Sequence, residues 1–77
     1  MVGDMASELR EASARAYEQA ADELETAARH CRAAAQHLRN GEIPRATAHA
    51  WAAFGHVRDA DGSLTAEART HAEHSTP

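Results

Sequence analysis

The first forty residues carry an apolar pattern with a seven-residue period. Tyr17, Leu24, Cys31 and Leu38 recur at intervals of seven, which is the repeat of a helix packed with coiled-coil geometry. We call this set the tyrosine row. Two neighbouring rows consist of alanine: Ala20, Ala27 and Ala34, and Ala14, Ala21, Ala28 and Ala35. We therefore predict a helix from about Ser7 to Arg39, with these three rows as its packing seam.

A turn and a second helix are predicted next. Asn40-Gly41 indicates the end of the first helix, because glycine adopts the left-handed conformation at little cost. Pro44 suits the first turn of a helix, and we expect this helix to extend to about Arg58. So short a connection makes the two helices antiparallel neighbours. The predicted seam of the second helix is Ile43, Ala46, Ala50, Ala53 and Val57.

The segment Asp59–Ser63 is rich in turn-forming residues and predicts a break. A calcium loop is a poor alternative, because Leu64 and Thr70 occupy the positions where such a loop needs glycine and glutamate. A short third helix over about 64–73 is expected to follow, with frayed ends at 1–5 and 75–77. The predicted fold class is therefore all-α: one domain, residues 1–77, built as an antiparallel helical hairpin with a short third C-terminal helix.

The predicted helices differ in length. At 1.5 Å per residue, the first is about 48 Å long and the second about 22 Å. Leu9, Tyr17 and Leu24 then need cover from the third helix, a second copy of the chain or another protein. Trp51 and Phe54 either fold over the hairpin edge or anchor an interface. We expect a bundle completed by homodimerisation, with these five residues at the interface.

The amino-acid composition limits the size of the core and the kinds of partner that we expect. Alanine makes up about a quarter of the 77 residues, and the three aromatic residues are the only large rings, so an isolated core would bury little apolar area. Cys31 is the sole cysteine, which excludes an intrachain disulfide and predicts a small buried side chain. The net charge of −4 without a basic stripe argues against nucleic acid. The sequence shows no membrane-spanning run or signal peptide, so we expect a cytoplasmic protein.

Four of the six histidines are regularly spaced. His30 and His37 precede members of the tyrosine row, and His49 and His56 precede seam positions of the second helix. Folding about Ile43 places His37 near His49 and His30 near His56, as two separate pairs. Imidazole binds zinc, copper and nickel, so all four are candidate metal ligands. The alternatives are a solvated polar edge, which we expect first, and a pH-sensitive edge. No other cofactor is predicted.

Two resemblances accompany these patterns. The stretch Leu38–Ala53 resembles the turn and second helix of a single tetratricopeptide unit, through Gly41, Ile43, Ala46, Ala50 and Ala53. From about Tyr17 to His74 the chain resembles small uncharacterised bacterial Ala/His-rich helical-hairpin proteins, which carry a glycine turn followed by a segment similar to Ala48-His49-Ala50-Trp51-Ala52-Ala53-Phe54-Gly55-His56. This resemblance implies a helical hairpin and transfers no activity.

The sequence predicts a binding protein. It offers no pair of carboxylates, no nucleophile with a base and no phosphate-binding glycine loop, which are the usual marks of a catalytic site. We therefore expect a non-catalytic helical interaction module that associates with itself or with a larger protein. The alternative is weak transition-metal binding or pH sensing through the histidine pairs.

Overall fold

Residues 5–73, which the computed structural model describes, form two long α-helices. Helix α1 spans Met5–Arg39 and helix α2 spans Ile43–Glu73, and they pack against each other as a hairpin. No strand occurs among the described residues. The predicted all-α hairpin is confirmed. The fraying expected for 1–5 and 75–77 lies outside the described residues except at Met5, which is helical.

The turn between the helices is closed by backbone hydrogen bonds around one glycine. Gly41 has a φ of 75°, a backbone conformation that residues with a Cβ rarely adopt. Its N–H donates to the Leu38 carbonyl at 3.0 Å, and the Glu42 N–H donates to the His37 carbonyl at 2.8 Å. These bonds satisfy carbonyl groups that a helix end leaves without partners. The helix end predicted at Asn40-Gly41 is therefore confirmed.

The break predicted at Asp59–Ser63 is wrong, because α2 runs through this segment as one helix. Residues 64–73 are its C-terminal part and not a separate third helix. Ala60 is only 1% exposed and continues, seven residues on, the row that begins with Ala46 and Ala53. Gly62 lies on the exposed side. Packing of Ala60 against α1 thus outweighs a glycine helix penalty of about 1 kcal/mol.

The continuity of α2 also corrects the predicted difference in helix length. Helix α2 has 31 residues and α1 has 35. The ring of Tyr17 in the N-terminal half of α1 lies 6.3 Å from the ring of His71 near the end of α2. The N-terminal half of α1 is therefore paired with α2 and needs no third helix.

The seam between the helices is made of alanine. The buried apolar residues of the described chain are Ala20, Ala27, Ala46, Ala53 and Ala60. The prediction that the tyrosine row, Ile43, Ala50 and Val57 belong to this seam is wrong, since all of them are exposed. Cys31, expected to be buried, is exposed as well.

The small size of alanine explains this arrangement. Two helices can approach closely where their contacting side chains are small. Larger side chains then cannot enter the strip between the backbones and must lie beside it. The sequence pattern identified the apolar rows correctly but did not show which of them face the chain's own second helix.

The hairpin is a single layer of helices. Its principal dimensions are 60 × 26 × 13 Å, and the shortest is close to the diameter of one helix with its side chains, about 10–12 Å. Across residues 5–73, neither helix combines the length and the apolar character needed to cross a bilayer.

Replacing Gly62 by alanine tests the unbroken α2. A Cβ at this position meets no atom within 4 Å, so we expect Gly62→Ala to raise the free energy of unfolding by about 0.5–1 kcal/mol, as for glycine within a helix. Thermal unfolding followed by circular dichroism measures the change.

Gly41→Ala is the matched control. A Cβ there also has free space, but the positive φ strains any side chain, so this variant should lose about 1 kcal/mol. A loss of stability in Gly62→Ala similar to that in Gly41→Ala would contradict a helical Asp59–Ser63 segment.

Candidate functional site

Four histidines line one flank of the alanine seam. His30 and His37 come from α1, and His49 and His56 come from α2; all four are half-buried. Three of them lie three residues after a buried seam alanine, namely Ala27, Ala46 or Ala53, and His37 lies three residues after the half-buried Ala34 of the same row. Because residues three apart are neighbours on a helix surface, the alanine seam places the imidazoles of both helices along the same edge. We call these four residues the histidine row.

The rings of the histidine row stack across the hairpin. His37 lies over His49 with ring centroids 5.2 Å apart, and His30 lies over His56 at 5.6 Å. The structure thus brings together both pairs that folding about Ile43 predicts. The pairs are not separate, however, because His30 Nδ1 and His49 Nδ1 are 2.9 Å apart and hydrogen-bonded. The four imidazoles form one continuous row.

A carboxylate lies at each end of the histidine row. The Nδ1–H of His37 donates to Glu42 Oε1 at 2.9 Å, and the Nδ1–H of His56 donates to Glu23 Oε1 at 2.6 Å. These bonds fix which ring nitrogen carries the proton in the two outer histidines. In the central pair, one Nδ1 must donate and the other must accept. Each Nδ1 atom of the half-buried row therefore has a hydrogen-bond partner within the chain.

Sequence reasoning missed both carboxylates. Glu23 stands seven residues before His30, in the same row as His30 and His37, and this spacing was a usable signal for its position. Glu42 lies in the turn, where no periodicity applies. Its contact with His37 depends on the turn geometry.

One end of the row has three groups able to hold a metal ion. Ligand atoms of Glu23, His56 and Asp59 lie within 4.8 Å of one another. Glu23 comes from α1, whereas His56 and Asp59 are three residues apart on α2. This group shares His56 with the four histidines predicted as ligands and adds two carboxylates. Oxygen and nitrogen ligands of this kind suit zinc.

The opposite flank of the seam is apolar. The tyrosine row of α1 lies on the same side as a row of α2 formed by Ile43, Ala50, Val57 and Leu64. His71 continues the α2 row, seven residues after Leu64, and its ring contacts that of Tyr17. This contact shows that the two rows lie on the same flank. We call these two rows, with Trp51 and Phe54 beside them, the apolar face. Its large side chains are 39–69% exposed.

The five predicted interface residues lie on or next to this face. Trp51 is 69% exposed and its ring meets the edge of Phe54 at 6.1 Å. The guanidinium of Arg58 lies over the Phe54 ring, 5.7 Å from its centroid. Leu9 and Tyr17 line an open groove of about 660 Å³ near the end of α2. Leu24 is also exposed and lies on α1 between Tyr17 and the turn.

Comparison with known proteins identifies no relative: no family model, curated protein or solved structure matches the chain.

A double-mutant cycle on His30 and His49 tests the central bond of the histidine row. Each single change to alanine leaves a half-buried imidazole without its partner, so the two losses of unfolding free energy should not add. We expect a coupling of about 1 kcal/mol, the typical net value of one hydrogen bond. Urea unfolding at neutral pH measures it.

The pair His30 and His71 supplies the control cycle. His71 contacts Tyr17 and Glu67 and no residue of the histidine row, so its replacement by alanine should add to His30→Ala within about 0.5 kcal/mol. Additivity in the His30–His49 cycle as well would mean that the central bond is absent in solution.

Proposed function

We propose that this protein is a non-catalytic helical interaction module that associates with itself through the apolar face, so that two hairpins form a four-helix bundle. The single observation behind this proposal is the exposure of every large apolar side chain on one side of the hairpin, over an alanine seam that buries none of them.

The surface area of the chain supports this proposal. A folded monomer of 8.3 kDa typically exposes about 4,600 Å², whereas this chain exposes 5854 Å². The excess is about 1,250 Å². A stable interface of standard size buries about 800 Å² on each partner, so a second copy would remove an area of the right magnitude.

The shape of the chain points the same way. Its radius of gyration is 17.7 Å, against about 11.5 Å for a compact domain of this length. Stable domains contain at least two packed layers around a core, and this hairpin is one layer only 13 Å thick. A second hairpin supplies the missing layer, and a core forms between the two apolar faces.

The apolar face is self-complementary in side-chain size. The α2 half carries the bulky residues Trp51, Phe54 and Val57. Beside the tyrosine row, the α1 half carries the small residues Ala21, Ala28 and Ala35. In a two-fold symmetric pair, each patch meets the other subunit's matching surface, so α2 of one copy can pack its large side chains against the alanines of α1 in the other.

Charge does not oppose this pairing. Each chain has a net charge of −4. Between Tyr17 and Leu64, however, the tyrosine row and the α2 row of the apolar face contain no charged residue. Arg58 and Asp61, which follow Trp51 and Phe54 by seven residues, place one positive and one negative charge at the edge of the face, where salt and solvent screen them.

A charge placed on the apolar face should separate the subunits. We expect the wild-type chain to sediment at about twice its mass, and Val57→Glu to sediment as a monomer or to lose its helical signal, because no basic residue lies three or four positions away in α2 and an unpaired carboxylate cannot be buried at low cost. Analytical ultracentrifugation over micromolar concentrations, with circular dichroism on the same samples, measures both.

Ala48→Glu is the matched control. It adds the same charge to α2 at an exposed position outside the apolar face and should leave the dimer intact. Trp51, the only tryptophan, gives an independent readout: its emission should shift to longer wavelength as the wild-type dimer is diluted. A wild-type chain that stays monomeric and cooperatively folded at high concentration would rule out self-association.

A further inference from the structure

Beyond self-association, we propose that Glu23, His56 and Asp59 bind one divalent transition-metal ion of the zinc type, which links α1 to α2 at one end of the histidine row. The ligand atoms of the three side chains lie within 4.8 Å of one another. A zinc ion bonded to each at about 2.0–2.2 Å fits between groups at this spacing with only side-chain rotation.

The three proposed ligands differ in how firmly the protein holds them before an ion binds. His56 is held in place, because its ring stacks on His30 and its Nδ1–H is bonded to Glu23. Asp59 is exposed, and the structure records no hydrogen bond or ion pair for its carboxylate. Its carboxylate can therefore turn toward a cation without losing an existing contact. Orientation of a ligating imidazole by neighbouring groups is a regular feature of metal sites.

Metal binding changes the tautomer of His56. The proton that Nδ1 donates to Glu23 leaves to solvent while Nε2 takes one up from solvent, so the imidazole stays neutral and the Nδ1 lone pair bonds to the metal. The freed Glu23 oxygen becomes the second ligand and Asp59 the third. With three protein ligands, the fourth position of a tetrahedral zinc is left to water.

The need for such a link follows from the core. Small domains with little buried apolar area are commonly stabilised by disulfides, metals or partner subunits. A single cysteine excludes an intrachain disulfide, and within residues 5–73 five alanines form the core. An ion held by both helices stabilises the hairpin directly, since the unfolded chain does not hold the three ligands together.

The site stays open in the proposed dimer. Asp59 follows Val57 by two residues and therefore lies about 200° around α2 from this member of the apolar face. The metal ligands thus lie on the polar side of the hairpin. Metal binding and self-association can then be tested independently of each other.

The experiment is a zinc titration of the untagged chain, in a Cys31→Ser background that removes the exposed thiol as a competing ligand. Isothermal calorimetry gives the affinity, thermal unfolding gives the stabilisation, and Co²⁺ in place of Zn²⁺ gives an absorption spectrum that reports four-coordinate geometry. We expect one saturable ion per chain, a raised melting temperature and reversal by a chelator.

Three variants locate the ion. Asp59→Asn removes an exposed ligand and should weaken binding at least tenfold without unfolding the apo protein. Asp61→Asn removes a neighbouring exposed carboxylate outside the group and should leave the affinity unchanged. His49→Gln breaks the central histidine pair and should alter the affinity less than threefold.

Three results would overturn the proposal. The first is a titration with no saturable binding. The second is an equal effect of Asp59→Asn and Asp61→Asn, which would mean that the ion only responds to overall charge. The third is a loss in His49→Gln as large as that in Asp59→Asn, which would move the ion to the four histidines.

Discussion

The close contact between α1 and α2 along their alanine rows determines the rest of this structure. Ala20 and Ala27 meet a strip formed by Ala46, Ala53 and Ala60, and each alanine contributes little apolar area at roughly 25 cal/mol per Å². The strip is narrow, so it admits no large side chain. Along the strip, the large apolar side chains and the histidines lie on its two flanks, and the two flanks differ in chemistry.

These two flanks separate two kinds of stabilisation. On one flank, stacked imidazoles bond through Nδ1 to one another or to two carboxylates of the chain. On the other, the large apolar side chains have no partner from the described residues that shields them from water. Polar contacts therefore hold the hairpin together internally, while most of the hydrophobic free energy is still available for association.

The sequence predicted local features better than the arrangement of rows. The end of α1 at Gly41 and the contacts between His37 and His49 depend on turn chemistry and on the fold about a short connection, both of which are local. The continuity of α2 through Gly62 depends on the packing of Ala60 against α1, which residue preferences do not contain. The choice of alanine over the tyrosine row as the seam is also a tertiary property: a seven-residue period shows which residues share a face but not which face meets which helix.

The histidine row also determines the alignment of the helices. Alanines repeating every seven residues on both helices pack almost equally well after a shift of one repeat, so they carry little information on register. The histidines share this period, so a shift of one repeat can bring His30 opposite His56 and His37 opposite His49, but Glu23 then loses its imidazole partner at a cost of about 1–3 kcal/mol. Polar residues set into an apolar seam fix register in coiled coils in this way. In a four-helix bundle of two copies, the apolar face gives each helix a second neighbour, which belongs to the other subunit. The contacts of the histidine row form on the opposite flank, between α1 and α2 of the same chain. They therefore favour the hairpin over pairing of α1 with α2 from the other subunit.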